Sequence, residues 1–328
     1  MKRSVFLIAL FAVSSFSVAL AGDESGAKPD EKPAAKPAVK SPSAKLQAAV
    51  NKIAGEQTYD LHYRLSPGEK VRWKVVQLQT VETKIRRVES VAKMRSVSKK
   101  LWTVSEVDAD GNITFVHQVE SVDMWSKLDG QDEERYNSET DEKAPPKYEA
   151  IAMSVGKPLA TITMNRHGGL VKRDQEVMFQ AFGLGKFAVP LPDQPVKVGE
   201  SWQILEDVKV KLDEARTQTI KTRQVYTLQK VEAGLATIDV RTELLTPVND
   251  PKVESQLVQR LTHGTVKFDV DAGRLVSKEL NLDKTVIGFS GAESSMSYLA
   301  RFTEELLPEN EAAAATAKKP AGAAAATK

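Results

Sequence analysis

The chain of 328 residues has no cysteine. That removes disulfides, thiolate metal sites, a cysteine nucleophile and a lipid-bearing cysteine at a mature N-terminus. Histidine is scarce: His62, His117, His167 and His263 are scattered, and no two stand at metal-ligand spacing, so no metal site is expected. His167 reads as a turn residue, and His263 should lie just inside a helix end, where its charge would suit the helix dipole. Charge of one sign is also lacking, with 46 Lys+Arg against 44 Asp+Glu. Between Leu46 and Leu307 the balance is 36 basic to 38 acidic, with no positive excess to hold a phosphate backbone, so nucleic acid is not an expected partner. No phosphate-cradling glycine loop or dinucleotide fingerprint is present, and no cofactor is implied.

What is present first is an address. Lys2 and Arg3 precede an apolar stretch from Val5 to Val18 interrupted by serines, and Ala19-Leu20-Ala21 offers small residues at both positions that a signal peptidase reads. Residues 1–21 are therefore expected to be a secretory signal cleaved after Ala21, which places the mature chain in the periplasm or outside the cell. The alternative, an uncleaved anchor, needs about 20 apolar residues, more than this stretch supplies. Residues 22–45, rich in Lys, Pro and Ala, and residues 308–328, rich in Ala, carry no apolar period and read as flexible tails. The front tail could instead associate with the cell wall. No later stretch has the length of a membrane span.

Between the tails, residues 46–307 alternate as β-structure does. A short amphipathic helix carrying Leu46, Ala49, Val50 and Ile53 opens the domain. From Arg72 to Val104 the chain is rich in Val, Thr and Ile with interleaved charges, which suits strands, although Arg86 to Ser98 is ambiguous. Leu235 to Leu244 sets Ala236, Ile238, Val240 and Leu244 against Thr237, Asp239, Arg241 and Glu243, a strand with one wet face. Turn signals stand at Asp108 to Asn112, His167 to Gly169, Glu232 to Gly234 and Asp271 to Gly273. Two helices have firm boundaries. One carries Tyr148, Ile151, Ala152 and Val155 behind Pro145-Pro146, and the other Val253, Leu257, Val258 and Leu261 behind Asp250-Pro251. A brief helix is expected around Val177 to Leu184, followed by a Pro-rich crossover into Gly199.

These features recur in order. Pro146-Lys147-Tyr148-Glu149 matches Pro251-Lys252-Val253-Glu254 at an offset of 105, as Gly168-Gly169-Leu170-Val171 matches Gly273-Arg274-Leu275-Val276. Upstream, Gly68-Glu69 with Trp73 parallels Gly199-Glu200 with Trp202. In the strand before the last hairpin the inward phase matches only at 104, which a turn one residue longer in the first copy would explain. An internal duplication follows, with halves at about residues 60–172 and 196–307 and extra polar residues around Asp129 to Lys143 in the first. The expected fold is mainly β with a few helices (α+β): an open, curved antiparallel sheet, or a sandwich, built from two related halves with helices on the apolar face.

Chemistry is thinly marked. Glu106, Asp108 and Asp110 before Gly111 look like the start of a calcium loop, but the twelfth position is His117, where a bidentate Glu belongs, so a plain hairpin turn is the reading. Gly288-Phe289-Ser290-Gly291 lacks the second spacing glycine of a nucleophile elbow. Asp132, Glu133 and Glu134 sit in the polar insertion, where water would keep them ordinary. No catalytic residue is therefore assigned. The large apolar side chains on strand-like segments, Trp73, Trp102, Trp202, Phe289, Tyr298 and Phe302, are either core or the lining of a ligand groove.

The succession GEKVRW, VDADGNITFVHQVESVDM, PLATITMNRHGGLVKRD and LPDQPVKVGESW resembles a family of uncharacterised secreted bacterial proteins known as a domain of unknown function, over most of Leu61 to Leu307. These are turn and strand motifs, so the resemblance implies an architecture and carries over no chemistry. At the level of topology the expected sheet also looks like the half-barrels of periplasmic lipoprotein carriers. The functional expectation is an exported, non-enzymatic protein that binds an envelope protein or an apolar small molecule. The alternatives are an enzyme on envelope polymers whose carboxylates are assembled by the fold, and a purely structural envelope protein.

Overall fold

The computed structural model describes residues 57–175 and 187–308. The expected signal, the two tails, the opening helix and the brief helix around Val177 lie outside the described residues. In chain order the elements are β1 (Thr58–Tyr59), β2 (Lys70–Ile85), β3 (Val88–Val107), β4 (Ile113–Leu128) and β5 (Glu134–Asn137). A 3-10 turn, Pro146–Tyr148, then leads into α1 (Glu149–Ala152), β6 (Pro158–Met164), β7 (Leu170–Gln175), β8 (Val196–Lys197), β9 (Ser201–Lys211), β10 (Thr217–Glu232) and β11 (Leu235–Leu244). Last come α2 (Pro251–Leu257) with a 3-10 turn Val258–Arg260, β12 (His263–Asp269), β13 (Arg274–Ile287) and β14 (Ser294–Leu306). The segment from Arg86 to Ser98, ambiguous in sequence, is a tight turn and strand. His263 begins β12 instead of closing a helix, because the chain leaves helical geometry at Leu261.

One large antiparallel sheet results, in the order β7-β6-β4-β3-β2-β14-β13-β12-β11-β10-β9, with β5 added beside β4. It is open: β7 and β9 are its edges, and the sandwich alternative does not occur. The order β7-β6-β4-β3-β2 reappears as β13-β12-β11-β10-β9, with β14 as the joint between the two runs. In each run the helix sits in the connection between the third and fourth strand in sequence. Local geometry repeats as well. Gly68 (φ 84°) and Gly199 (φ 92°) both turn left-handed, and the glutamate after each accepts a backbone N–H three residues back, Glu69 from Ser66 at 2.9 Å and Glu200 from Lys197 at 2.8 Å. Each Gly-Glu pair then joins a strand in the same way, Gly68 and Glu69 to Val104, Gly199 and Glu200 to Leu228.

The hairpins β6-β7 and β12-β13 carry a bulge at equivalent places, with Val171 and Val276 as the extra residues. Five residues separate the paired Met164 and Leu170, whereas six separate Phe268 and Leu275, so the longer turn belongs to the second run and not to the first.

The sheet curls. Tyr63 N–H donates to the Arg166 carbonyl at 2.7 Å, and the next residue, Arg64, donates to the Gly273 carbonyl at 2.9 Å. These carbonyls belong to the β6-β7 and β12-β13 turns, six strand spacings apart, which in a flat sheet would be about 29 Å. Adjacent amides reach both only if that end of the sheet is wrapped into a cone around residues 61–65 and 187–196. Leu61, Tyr63, Trp73, Trp102, Phe115, Ile162, Leu228, Ile238 and Phe268 fill the cone as one cluster. At the wider end the helices cover the inner face. Tyr148 just before α1 and Ile151 within it pack on Val122 and Met124, and Val253 and Leu257 of α2 pack on Val208, Val210 and Ile220. Asp250 caps α2 by accepting the Lys252 N–H at 2.8 Å, with Pro251 in the first turn.

Candidate functional site

Strand register resolves the inner face into rows of side chains. Lys100 of β3 lies opposite Trp73 of β2, which lies opposite Leu306 of β14. The next row toward the wide end runs Ser98, Val75, Glu304, Lys278, across β3, β2, β14 and β13. Beyond it come Ser96, Gln77, Phe302, Leu280 and then Met94, Gln79, Ala300, Leu282. On the cone side of Lys100 the row holds His117, Trp102 and Val71.

Two lysines meet one carboxylate here. One Glu304 oxygen pairs with Lys100 Nζ, and the other lies 2.7 Å from Lys278 Nζ. The side chains are 6%, 2% and 12% exposed for Lys100, Glu304 and Lys278, so the trio is buried and Lys278 is its outermost member. Lys100 reaches Glu304 by crossing its neighbour on β2, and its ammonium sits 4.4 Å from the Trp73 ring centre and 4.9 Å from that of Trp102. Lys278 lies 4.8 Å over Phe302. Ring faces stabilise ammonium groups that burial has stripped of water.

Burial pushes the Glu304 pKa up, but the two ammonium groups overcome it and leave the carboxyl at about 2. For Lys100, burial lowers the pKa; Glu304 opposes the shift, and repulsion from Lys278 adds to it. His117 is held at about 3 by burial and then by Lys100, so its ring is neutral at ordinary pH. Neither His117 nitrogen has a hydrogen-bond partner, and neither has the Trp102 indole N–H opposite it.

The aromatic residues singled out as groove candidates divide. Trp73 and Trp102 come together at the cluster, in edge contact at 4.8 Å, and Trp102 stacks on Phe115. Phe302 adjoins the cluster on the open side through Lys278. Trp202 is elsewhere, stacked on Tyr226 at 5.6 Å with its indole N–H on the Pro190 carbonyl at 2.9 Å. Tyr298 and Phe289 belong to a separate cluster with Val258, Leu282, Val286 and Met296. Lys100, Glu304, Lys278 and His117 were not singled out in the sequence. The signal available was phase: Lys100 shares the inward phase of Ser98, Trp102 and Val104, and Glu304 that of Tyr298, Phe302 and Leu306.

Asp108 accepts the N–H groups of Asp110 and Asn112 and the Asn112 side-chain amide, which lower its pKa, so it organises a hairpin turn. A surface recess of about 240 Å³, formed by Glu82, Val91, Lys93, Lys127 and Asp129, opens on the convex face and touches none of the groove candidates.

Residues 183–285 match the model of a family of unknown function (DUF6263). No curated protein matches the sequence. Among solved structures, the chain is similar to one reported as "Lipid-protein interactions in lipovitellin" at 10% identity and a TM-score of 0.42, covering 75% of this chain. This protein spans about a quarter (26%) of the lipovitellin chain. DynF from the dynemicin biosynthesis pathway of Micromonospora chersina gives 6% identity and a TM-score of 0.20, over 78% of this chain and 89% of that one. The translocator domain of the autotransporter NalP from Neisseria meningitidis gives 8% and 0.23, over 80% and 95%. No helix among the described residues is long and apolar enough to cross a membrane.

Proposed function

We propose that this is an exported binding protein, descended from a duplicated five-stranded unit, that holds an apolar molecule on the concave face of its sheet. Export is inferred from the leading Lys2-Arg3, apolar stretch and Ala19-Leu20-Ala21. The matching strand orders and the paired Gly-Glu turns support the duplication. The binding reading is carried by one observation: between the two helix-covered patches, the rows holding Ser96, Gln77, Phe302 and Leu280 and then Met94, Gln79 and Ala300 are only half-buried. Toward the cone the inner face is closed by Val75, Ser98 and Glu304, whereas toward the wide end the β2-β3 rows of Val81 with Ala92 and Thr83 with Ser90 stay half-buried too. A half-covered strip on the concave side of the sheet, with Met94, Leu280, Ala300 and Phe302 set among Ser96, Gln77 and Gln79, suits a ligand with a chain.

The test uses the mature chain and a neutral fluorescent apolar probe, N-phenyl-1-naphthylamine. Saturable binding that Met94→Arg and Ala300→Arg abolish, with unfolding midpoints kept, supports the reading. No saturable binding, or binding indifferent to both substitutions, overturns it. The single buried carboxylate among the described residues, Glu304, has ammonium groups beside it and no second acid, so nothing in this site favours the paired-carboxylate enzyme.

A further inference from the structure

We infer that Lys278, backed by Glu304 and Lys100, receives the acidic head of an amphipathic ligand whose apolar chain lies along the strip of Phe302, Ala300 and Met94. This rests on the binding reading above and gives its ligand a chemical class. Charge makes the case first. Two lysines share one carboxylate, so with both protonated the cluster carries one positive charge in excess in a buried setting. The row neighbours are Ser98, Val75, Val266, Trp73 and Leu306, none of them acidic, and His117 beyond Lys100 is neutral. An uncompensated buried charge is unfavourable unless something completes it, and an anion does so.

Placement makes the case second. Lys100 is enclosed by Trp73, Trp102 and Glu304, whereas Lys278 is the outermost of the three and lies over the half-buried ring of Phe302. A chain lying on the strip would thus meet Lys278 at its end. One of the three N–H groups of Lys278 faces Glu304. On the cone side of Lys100, away from the strip, the His117 nitrogens and the Trp102 N–H are buried without hydrogen-bond partners. A carboxylate and a phosphate share the chemistry this arrangement reads.

The experiment is calorimetric titration of the mature chain with laurate, dodecyl phosphate, dodecanol and dodecyltrimethylammonium, each below its critical micelle concentration. A charge-assisted contact to Lys278 is expected to make at least one acidic ligand about tenfold tighter than dodecanol, and the cationic ligand weaker than both. Laurate against dodecyl phosphate distinguishes the two head groups. Lys278→Met should remove the preference for an acid over dodecanol, and Lys278→Arg should keep it. Dodecanol binding with no preference for an acid, or a preference that survives Lys278→Met, overturns this inference alone. Failure of every ligand, dodecanol and the neutral probe included, overturns the binding reading with it.

Discussion

Replacing Glu304 by Gln keeps the side-chain shape and removes the charge that holds Lys100 and Lys278 together. Two independent routes give the size of the effect. The Glu304 carboxyl falls from 4.5, its ordinary value, to about 2 in the folded protein. At 1.36 kcal/mol per pKa unit, that shift is worth about 3 kcal/mol. Truncating one partner of a buried ion pair costs about 3–5 kcal/mol, because the remaining charge is left without compensation. The sign follows from proton counting. Between pH 4.5 and 2 the unfolded chain binds the proton and the folded chain does not, so the stabilisation is complete above pH 4.5 and is lost as pH falls toward 2. Urea unfolding, followed by the fluorescence of the buried Trp73 and Trp102, reads this directly. It is best done with His117→Leu as the common background, since His117 titrates over part of the same range. The expected result is a loss of about 3 kcal/mol at pH 7 in Glu304→Gln and a flatter acid limb below pH 4.5. A loss under about 1 kcal/mol at pH 7, or acid limbs that superimpose, would refute the account of the cluster as a mutually dependent trio.

Three further outcomes are expected. His117 is buried neutral with a pKa near 3, so the unfolded chain takes up its proton first as pH falls through 6.5, and stability drops from there toward pH 3; His117→Leu should unfold at higher urea than wild type at pH 5 and close to wild type at pH 7.5. Gly264 sits where a Cβ would overlap the Glu279 carbonyl oxygen and carbon across β12-β13, so Gly264→Ala should cost about 3 kcal/mol or more in chemical denaturation, as severe overpacking does. Tyr63 Oη accepts the Val189 N–H at 2.9 Å and donates to the Val189 carbonyl at 3.1 Å, so Tyr63→Phe leaves two buried backbone groups unpaired and should lower stability by about 1–3 kcal/mol, with faster amide exchange at Val189.

The architecture was readable in the sequence wherever the signal was local. The alternation from Leu235 to Leu244 puts Ala236, Ile238 and Val240 in the core as its period requires. Gly68-Glu69 and Gly199-Glu200 are turns that need a left-handed glycine and a carboxylate in fixed relation, so four residues carry the whole geometry. The offset of 105 located both helices and both final hairpins. It gave the longer turn to the wrong copy, although an offset that rises from 104 before the turn to 105 after it makes the second turn the longer. His263 was misread for a different reason: a 3-10 turn from Val258 to Arg260 extends the helical stripe in sequence after the α-helix itself has ended.

The site was not local, and that is why it was missed. Lys100 and Glu304 are 204 positions apart and lie on strands with β2 between them, so their meeting depends on β2 pairing with β14, the strand pairing that joins the first run to the last strand. Nothing in either half specifies that pairing alone. What each strand did carry was a charge at an inward position, Lys100 among Ser98, Trp102 and Val104, and Glu304 between Phe302 and Leu306. A lone inward charge would be costly to bury, whereas two of opposite sign and a third left over are what a closed joint with residual affinity for an anion requires. The β2-β14 joint is thus both where the two runs of strands become one sheet and where its inner face acquires charge. A substitution that neutralises Lys278 should separate those roles, abolishing anion preference while the joint, still held by Lys100 and Glu304, remains folded.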